Sequence, residues 1–114
     1  MKNFNAFRFA IVIMAGLVIT SPALAARSDS VSVAWFDTAG NFVGQQYIPC
    51  SGTGFVGGTQ TPYTLRQSYP CVAGDGDPDI SDTLPANITE AQACYTLQLK
   101  GDVCGRPPVY VWTD

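Results

Sequence analysis

The chain has 114 residues with six Lys or Arg, nine Asp or Glu and no His, which gives a formal charge of −3 at pH 7. This length suits one small domain and is too short for two independent cores. Because the sequence contains no Lys/Arg cluster and no basic helix, nucleic acid and anionic membrane surfaces are excluded as partners.

Residues 1–25 have the features of a secretory signal peptide. Two early cations, Lys2 and Arg8, flank or precede an apolar stretch from Phe9 to Ile19, and Ala23-Leu24-Ala25 follows. The stretch is too short to cross a ~30 Å hydrocarbon core, which needs ~20 residues. The sequence therefore predicts cleavage after Ala25 and export to the periplasm or the medium, with no transmembrane anchor in the mature protein.

The predicted mature protein is a single secreted domain, residues 26–114. It has four cations against nine anions, a formal charge of −5. Small secreted domains bury little apolar surface, so an even number of cysteines in such a chain is typical of disulfide crosslinks.

Four cysteines follow the leader, and they allow three pairings: Cys50, Cys71, Cys94 and Cys104. Sequence order favours Cys50 with Cys71 and Cys94 with Cys104, since each pair closes a short loop. Each bridge would contribute roughly 3 kcal/mol by loop entropy. A zinc site is the alternative, but the chain has no CxxC motif and no histidine.

The first elements after the leader predict a β-hairpin. Residues 31–36 alternate branched or aromatic side chains with small ones, which is typical of a half-buried strand. Residues 37–41 supply turn chemistry, including Gly40, and residues 42–48 return to an extended pattern. We expect two strands joined by a loop of about five residues.

A third strand is predicted after a glycine-rich loop. The loop covers residues 49–58, where the glycine density disfavours a regular interior strand, and Cys50 would hold it. Residues 63–69 then alternate, with Tyr63, Leu65, Gln67 and Tyr69 on one face. A bridge from Cys71 to Cys50 would pin this strand to the end of the second.

Residues 72–87 form an acidic Gly/Asp segment with no apolar periodicity, which we interpret as a loop between two halves of the chain. Four aspartates within it could bind calcium weakly, because their spacing echoes an oxygen-ligand loop: Asp75, Asp77, Asp79 and Asp82. Against this, Ile80 stands where the loop would need Gly, and Pro78 stiffens its middle. The simpler interpretation is a solvated linker.

The second half predicts one short helix and a final strand. Thr89 and Gln92 have the spacing of a capping box, which favours a helix over residues 89–96. Alternation from Cys94 onward allows a strand there instead. Residues 101–108 predict a turn, and residues 109–112 predict a C-terminal strand. The fold class expected is therefore mainly β, stapled by disulfides.

Residues 33–71 resemble a family of small secreted bacterial proteins of unknown function, which have an aromatic strand ending in Asp, a Val-Gly-x3-Tyr-x2-Cys motif, a Gly-rich loop and a closing Tyr-Pro-Cys. The matching residues are Trp35-Phe36-Asp37, Val43-Gly44, Tyr47, Cys50, Gly52, Gly58-Thr59 and Tyr69-Pro70-Cys71. The resemblance implies a bacterial exported protein and a bridge between Cys50 and Cys71. It implies no catalytic residue.

Function is predicted only in outline. With no histidine and with cysteines expected to be oxidised, an enzyme is not expected, and we assign no catalytic residue. The favoured hypothesis is a binding module for a protein or cell-envelope partner, such as an inhibitor or accessory factor, without a cofactor. Phe55 is its candidate exposed anchor, although most aromatics of a small domain are expected in the core. The alternative is a secreted effector or antimicrobial peptide precursor, processed within residues 72–87.

Overall fold

The computed structural model describes residues 27–113. The predicted leader, residues 1–25, lies outside these residues. The described part contains five strands and a helix, with these bounds: β1 Asp29–Phe36, β2 Phe42–Ile48, β3 Phe55–Gly58, β4 Tyr63–Pro70, β5 Asp79–Asp82 and α1 Glu90–Lys100. The expected fold class, mainly β with a short helix, is confirmed.

Within residues 27–113 the strands form one five-stranded antiparallel sheet in the order β3-β2-β1-β4-β5. The predicted hairpin is β1–β2, and the predicted third strand is β4. Strand β4 pairs with β1 along its full length, from Asp29 opposite Pro70 to Phe36 opposite Tyr63. The first strand of the chain is therefore the centre of the sheet.

The turn between β1 and β2 has the predicted chemistry. Asp37 Oδ1 accepts hydrogen bonds from the backbone N–H groups of Ala39 at 2.9 Å and Asn41 at 2.8 Å. Gly40 has a φ of +89°, a conformation that glycine adopts without a Cβ clash. These bonds close the hairpin and set the register of its strands.

The helix α1 covers one face of the sheet. Ala93 and Leu97, four residues apart on α1, are buried against Ala34, Phe36 and Leu65 from the two central strands. Partly buried side chains surround this cluster, among them Phe42, Tyr63, Ile80, Leu84 and Val111. The apolar core therefore lies between α1 and the end of the sheet where β1 finishes.

The capping box that the sequence predicts is present at the start of α1. The Thr89 hydroxyl accepts a bond from the Gln92 N–H at 3.1 Å, and the Gln92 side chain accepts one from the Thr89 N–H at 2.8 Å. The helix ends at Gly101, whose φ is +107°. It extends to Lys100, beyond the predicted end at residue 96, because Leu97 adds a second buried turn.

Two segments expected to be loops contain strands. Residues 55–58 form β3, which lies at an edge of the sheet. A glycine of the neighbouring strand β2 permits its close approach, because a Cβ on Gly44 would lie 2.8 Å from the carbonyl of Gly57. Residues 79–82 form β5 within the acidic segment, with Ile80 paired opposite Gln67. Edge strands need only one neighbour, which explains why short polar segments suffice.

The expected C-terminal strand at residues 109–112 is wrong. This segment belongs to no strand of the sheet. Its backbone bonds to the side chain of Gln45, with Val111 N–H donating to Gln45 Oε1 at 2.7 Å. The Gln45 side chain takes the place that the backbone of a neighbouring strand would have, so this segment forms no backbone ladder with the sheet.

Both preferred cysteine pairings are confirmed. Cys50 is bonded to Cys71 and Cys94 to Cys104, and no cysteine is free. Two disulfides indicate a protein of an oxidising compartment, extracellular or periplasmic.

Candidate functional site

A cleft of about 540 Å³ lies at the end of the sheet where β1 begins. It opens on the same face as α1, but at the opposite end of the strands. Its lining is aromatic, proline-rich and glycine-rich, with both cysteines of one disulfide: Ser30, Tyr47, Cys50, Tyr69, Pro70, Cys71, Ala73, Gly74, Gly76, Pro78 and Pro107.

Strand register explains why a hollow forms here. Tyr47 of β2 lies opposite Ser32, and Tyr69 of β4 lies opposite Ser30, so two large side chains flank a central strand with short ones. The serines are buried and both tyrosines are half-buried. Ser30 lines the cleft, and its small side chain leaves the space between the rings open.

The Cys50–Cys71 bridge closes the outer end of the cleft. It joins the ends of β2 and β4, which flank β1, and brings their Cα atoms to 5.7 Å. Two further bonds hold Arg27 and Ser28 beside it: Cys71 N–H donates to the carbonyl of Ser28, and Arg27 donates to the carbonyl of Pro49. The bridge therefore positions the walls of the cleft in the folded protein, in addition to lowering the entropy of the unfolded chain.

An aromatic row continues from the cleft across the sheet edge. Phe55 stacks on Tyr47, with ring centroids 6.3 Å apart, and on Tyr110, at 5.4 Å. Phe55 is 51% exposed. The structure thus places this candidate anchor on the edge strand β3, beside the cleft but not in its lining, and with two ring partners instead of alone at a loop tip.

Gln45 holds the C-terminal segment that follows the lining residue Pro107. Its side chain is fully buried; Nε2 donates to Ser32 Oγ at 3.0 Å and to the carbonyl of Val109 at 2.8 Å. Oε1 accepts from the N–H groups of Val111 and Trp112. Every hydrogen-bonding position of this amide is occupied. Sequence reasoning missed it, although a glutamine at an inward position of β2 is a signal.

The acidic segment supplies the rim of the cleft. Asp75 lies between the lining residues Gly74 and Gly76, and Asp77 precedes the lining residue Pro78. Asp79 and Asp82 belong to β5. Among residues 27–113, no three Asp, Glu, Cys or His side chains are placed to hold a metal ion. The four aspartates are therefore not gathered into a calcium loop, and this arrangement lends the calcium hypothesis no support.

Three carboxyl groups elsewhere have shifted pKa values. Hydrogen bonds from Asn41 lower the pKa of Asp37, and desolvation together with the neighbouring Asp82 raises the pKa of Glu90. Burial raises the pKa of Asp102, which is fully buried behind the end of α1. None of the three lines the cleft.

Comparison of the sequence with protein-family models, curated proteins and solved structures finds no match. The resemblance of residues 33–71 to small secreted bacterial proteins therefore stays a prediction. Within residues 27–113, no helix has the length and apolar character needed to span a membrane.

Proposed function

We propose that the protein is an exported, non-catalytic binding module whose cleft holds an extended, positively charged segment of a protein partner. The cleft beside the Cys50–Cys71 bridge is the observation that carries this proposal. Its volume of about 540 Å³ falls within the ~300 to 1,000 Å³ typical of ligand sites. A cleft of this size accommodates a few consecutive side chains of a partner.

The lining supports an extended peptide as the occupant. Tyr47 and Tyr69 present half-exposed rings with hydroxyl groups, and three prolines stiffen the walls. Rigid aromatic and proline side chains lose little conformational entropy on binding. Aromatic-lined grooves are also typical partners of extended, proline-containing segments, which are already ordered before binding. We therefore expect proline or aliphatic side chains in the bound segment.

The charge of the rim supports a cationic partner. Four aspartates are direct sequence neighbours of lining residues, namely Asp29, Asp75, Asp77 and Asp79. Two arginines lie against them: Arg106, next to Pro107, and Arg27, which donates to the carbonyl of Pro49 beside Cys50. This arrangement favours Lys or Arg in the partner. Charges at the rim of an interface mainly accelerate association and set specificity.

The same lining supports binding over catalysis. The polar side-chain groups that line the cleft are the hydroxyls of Ser30, Tyr47 and Tyr69, and both of its cysteines are oxidised. General acid–base catalysis needs a titratable group matched to the working pH, which His, Asp or Glu usually supplies. No such side chain appears among the lining residues.

The precursor hypothesis receives less support. Part of the segment in which it needs cleavage is β5, which is paired with β4 from Leu65 to Ser68. The C-terminal segment is also bonded to Gln45 in the first half of the chain. Separating the two halves would break the sheet and a buried hydrogen-bond network.

The test uses the disulfide-intact protein and two synthetic peptides of identical length, one proline-rich with two lysines and one with glutamates in place of those lysines. We expect calorimetric titration to detect binding of the lysine peptide and weaker or no binding of the glutamate peptide. Equal binding of both, or binding of neither, would contradict a cationic extended ligand.

Matched variants then locate the binding. Tyr69→Ala should weaken binding at least about tenfold, since buried aromatic anchors dominate interfaces. Asp75→Asn with Asp77→Asn should weaken it roughly twofold to fivefold, because exposed ion pairs contribute up to ~1 kcal/mol each. The control is Asp82→Asn with Glu90→Gln, which removes the same charge from residues outside the cleft lining and should leave binding unchanged.

A further inference from the structure

Gln67 and Asp102 form a buried polar pair beneath the end of α1. Gln67, on β4, is 2% exposed and Asp102 is 0% exposed. Gln67 Nε2 donates a hydrogen bond to Asp102 Oδ2 at 3.3 Å. Asp102 also accepts a bond from the backbone N–H of Val109. One carboxyl group therefore connects the sheet with the C-terminal segment.

Each side chain of this pair retains one unsatisfied oxygen. Asp102 Oδ1 and Gln67 Oε1 are buried and have no hydrogen-bond partner. Both atoms are acceptors when the acid is ionised, so neither can satisfy the other. A buried acceptor without a donor is rare in native proteins and demands an explanation.

A single proton satisfies both oxygens. A proton on Asp102 Oδ1 turns that atom into a donor, and Gln67 Oε1 is the acceptor that lacks one. Together with the existing Nε2 to Oδ2 bond, a bond from Oδ1 to Oε1 would close a ring of two parallel hydrogen bonds between an acid and an amide. Loss of this proton to solvent leaves two lone pairs without a donor in a desolvated site.

Within residues 27–113, no Lys or Arg charge is among the causes that shift the pKa of Asp102. The residues paired with Gln67 across the sheet are Ser32 and Ile80. The charged residues nearest to Asp102 along the chain, Lys100 and Arg106, are exposed. Burial is the largest cause of the raised pKa of Asp102, and the groups that oppose it are the Val109 N–H and the Gln67 amide.

We infer that Asp102 is a neutral carboxylic acid paired with the Gln67 amide by two hydrogen bonds. This pair attaches residues 101–112 to the sheet, and the attachment depends on pH. Ionisation keeps the bond from Val109 but sets an anionic oxygen against the amide oxygen of Gln67. The Gln67 Nε2 to Oδ2 bond remains, but the second bond of the pair is lost and the attachment of the segment to β4 is weakened. Pro107 of this segment lines the cleft, so the cleft wall responds to pH even without a ligand.

The sign of the effect follows from proton linkage. Between the ordinary Asp value of about 3.9 and the raised pKa of Asp102, the folded protein holds a proton that the unfolded chain has released. Stability therefore falls as pH rises through this window, by about tenfold in the unfolding constant per pH unit. Above the raised pKa the effect levels off, and below the ordinary value it is absent.

The first measurement is the pH titration of the Asp102 carboxyl ¹³C signal by NMR in the disulfide-intact protein. We expect the midpoint of this titration to lie above the ordinary Asp value. A titration midpoint at or below the ordinary Asp value would overturn the inference. It would instead indicate an ionised group whose free oxygen is satisfied by a buried water.

The second measurement compares the unfolding constant of the wild type with that of Asp102→Asn across the same pH range. Asn supplies an N–H donor in place of the acid O–H and cannot titrate, so the contribution of Asp102 to the slope should disappear and that of Glu90, whose pKa is also raised, should remain. Asp75→Asn, at an exposed aspartate, should retain both contributions. Identical slopes in all three proteins would contradict the inference, and the NMR titration decides the matter if Asp102→Asn does not fold.

The third measurement is hydrogen exchange of the backbone amides between residues 103 and 112. In the wild type, exchange should accelerate as pH rises through the window by more than the intrinsic tenfold per pH unit, whereas Asp102→Asn should show the intrinsic change alone. Equal pH dependence in both proteins would show that the Gln67–Asp102 pair does not attach residues 103–112 to the sheet.

Discussion

The covered face of the sheet has two ends that are built differently. At the end where β1 finishes, Phe36, Leu65 and Leu97 make an apolar core beneath α1. At the end where β1 begins, the inward residues include Ser32 and Gln45, both fully buried. The first end is stabilised by removal of apolar area from water, and the second by hydrogen bonds to one particular segment and by a disulfide.

This difference shows how so small a domain makes room for a cleft. A second apolar core would fill the space between β2 and β4, because large side chains pack to high density. Ser30 on β1 leaves the space open, and the Cys50–Cys71 bridge holds its walls. The predictions below test whether the two ends depend on these different interactions.

The largest effect is expected at the apolar end. Phe36→Ala should lower the free energy of unfolding by about 3 to 5 kcal/mol, because it leaves a cavity in the core. Urea denaturation with intact disulfides measures this loss. Val56→Ala, at a residue that is 68% exposed, is the control and should change stability by less than about 0.5 kcal/mol. Similar losses for both variants would contradict an apolar core at this end.

The two disulfides provide the next test. Their sequence separations of 21 and 10 residues give nearly the same loop entropy, about 3 kcal/mol each. We expect Cys50→Ser with Cys71→Ser to abolish peptide binding as well, whereas Cys94→Ser with Cys104→Ser should lower stability and retain binding. Calorimetric titration at a temperature where both variants are folded distinguishes them. Equal loss of binding in both variants would contradict a specific role of the Cys50–Cys71 bridge in the cleft.

A smaller effect is expected from Gln45→Leu. The change leaves the carbonyl of Val109 and the N–H of Val111 without partners, and the segment can satisfy them by turning to water, so the loss should be about 2 kcal/mol. Hydrogen exchange of the Val111 amide should accelerate at the same time. Gln46→Leu is the matched control, since this neighbouring glutamine is exposed on the opposite face. Unchanged exchange in Gln45→Leu would mean that other contacts hold the segment.

The smallest effect is expected at the helix cap. Thr89→Ala removes the acceptor for the Gln92 N–H and should lower stability by about 1 kcal/mol. Thr89→Ser keeps the hydroxyl and should remain near the wild type in the same urea denaturation. A loss in Thr89→Ser equal to that in Thr89→Ala would assign the effect to the methyl group and not to the cap.

Local chemistry in the sequence predicted several elements correctly. The Asp37 to Asn41 turn, the Thr89–Gln92 capping box and the two disulfide loops each involve residues close in the chain, so short-range patterns sufficed. Phe55 was correctly predicted to be exposed. Its place in an edge strand was not, because the glycines around it form a strand only when β2 lies alongside.

The parts that sequence reasoning missed depend on distant residues. β5 requires β4 as a template, and the segment at residues 109–112 is ordered by a glutamine more than sixty positions earlier. The cleft likewise depends on two strand registers that place Tyr47 and Tyr69 on either side of serines. No short motif encodes such a juxtaposition.

The sequence by itself determined the fold class, the strand–turn–strand start, the capped helix and the pairing of cysteines, because hydrophobic alternation, turn residues and short loops act over a few positions. The tertiary structure decided which strand is central, where the cleft lies and which buried polar groups meet. Those features arise when segments far apart in the chain are packed together, and a buried amide or acid acquires its role only from the partner that packing brings to it.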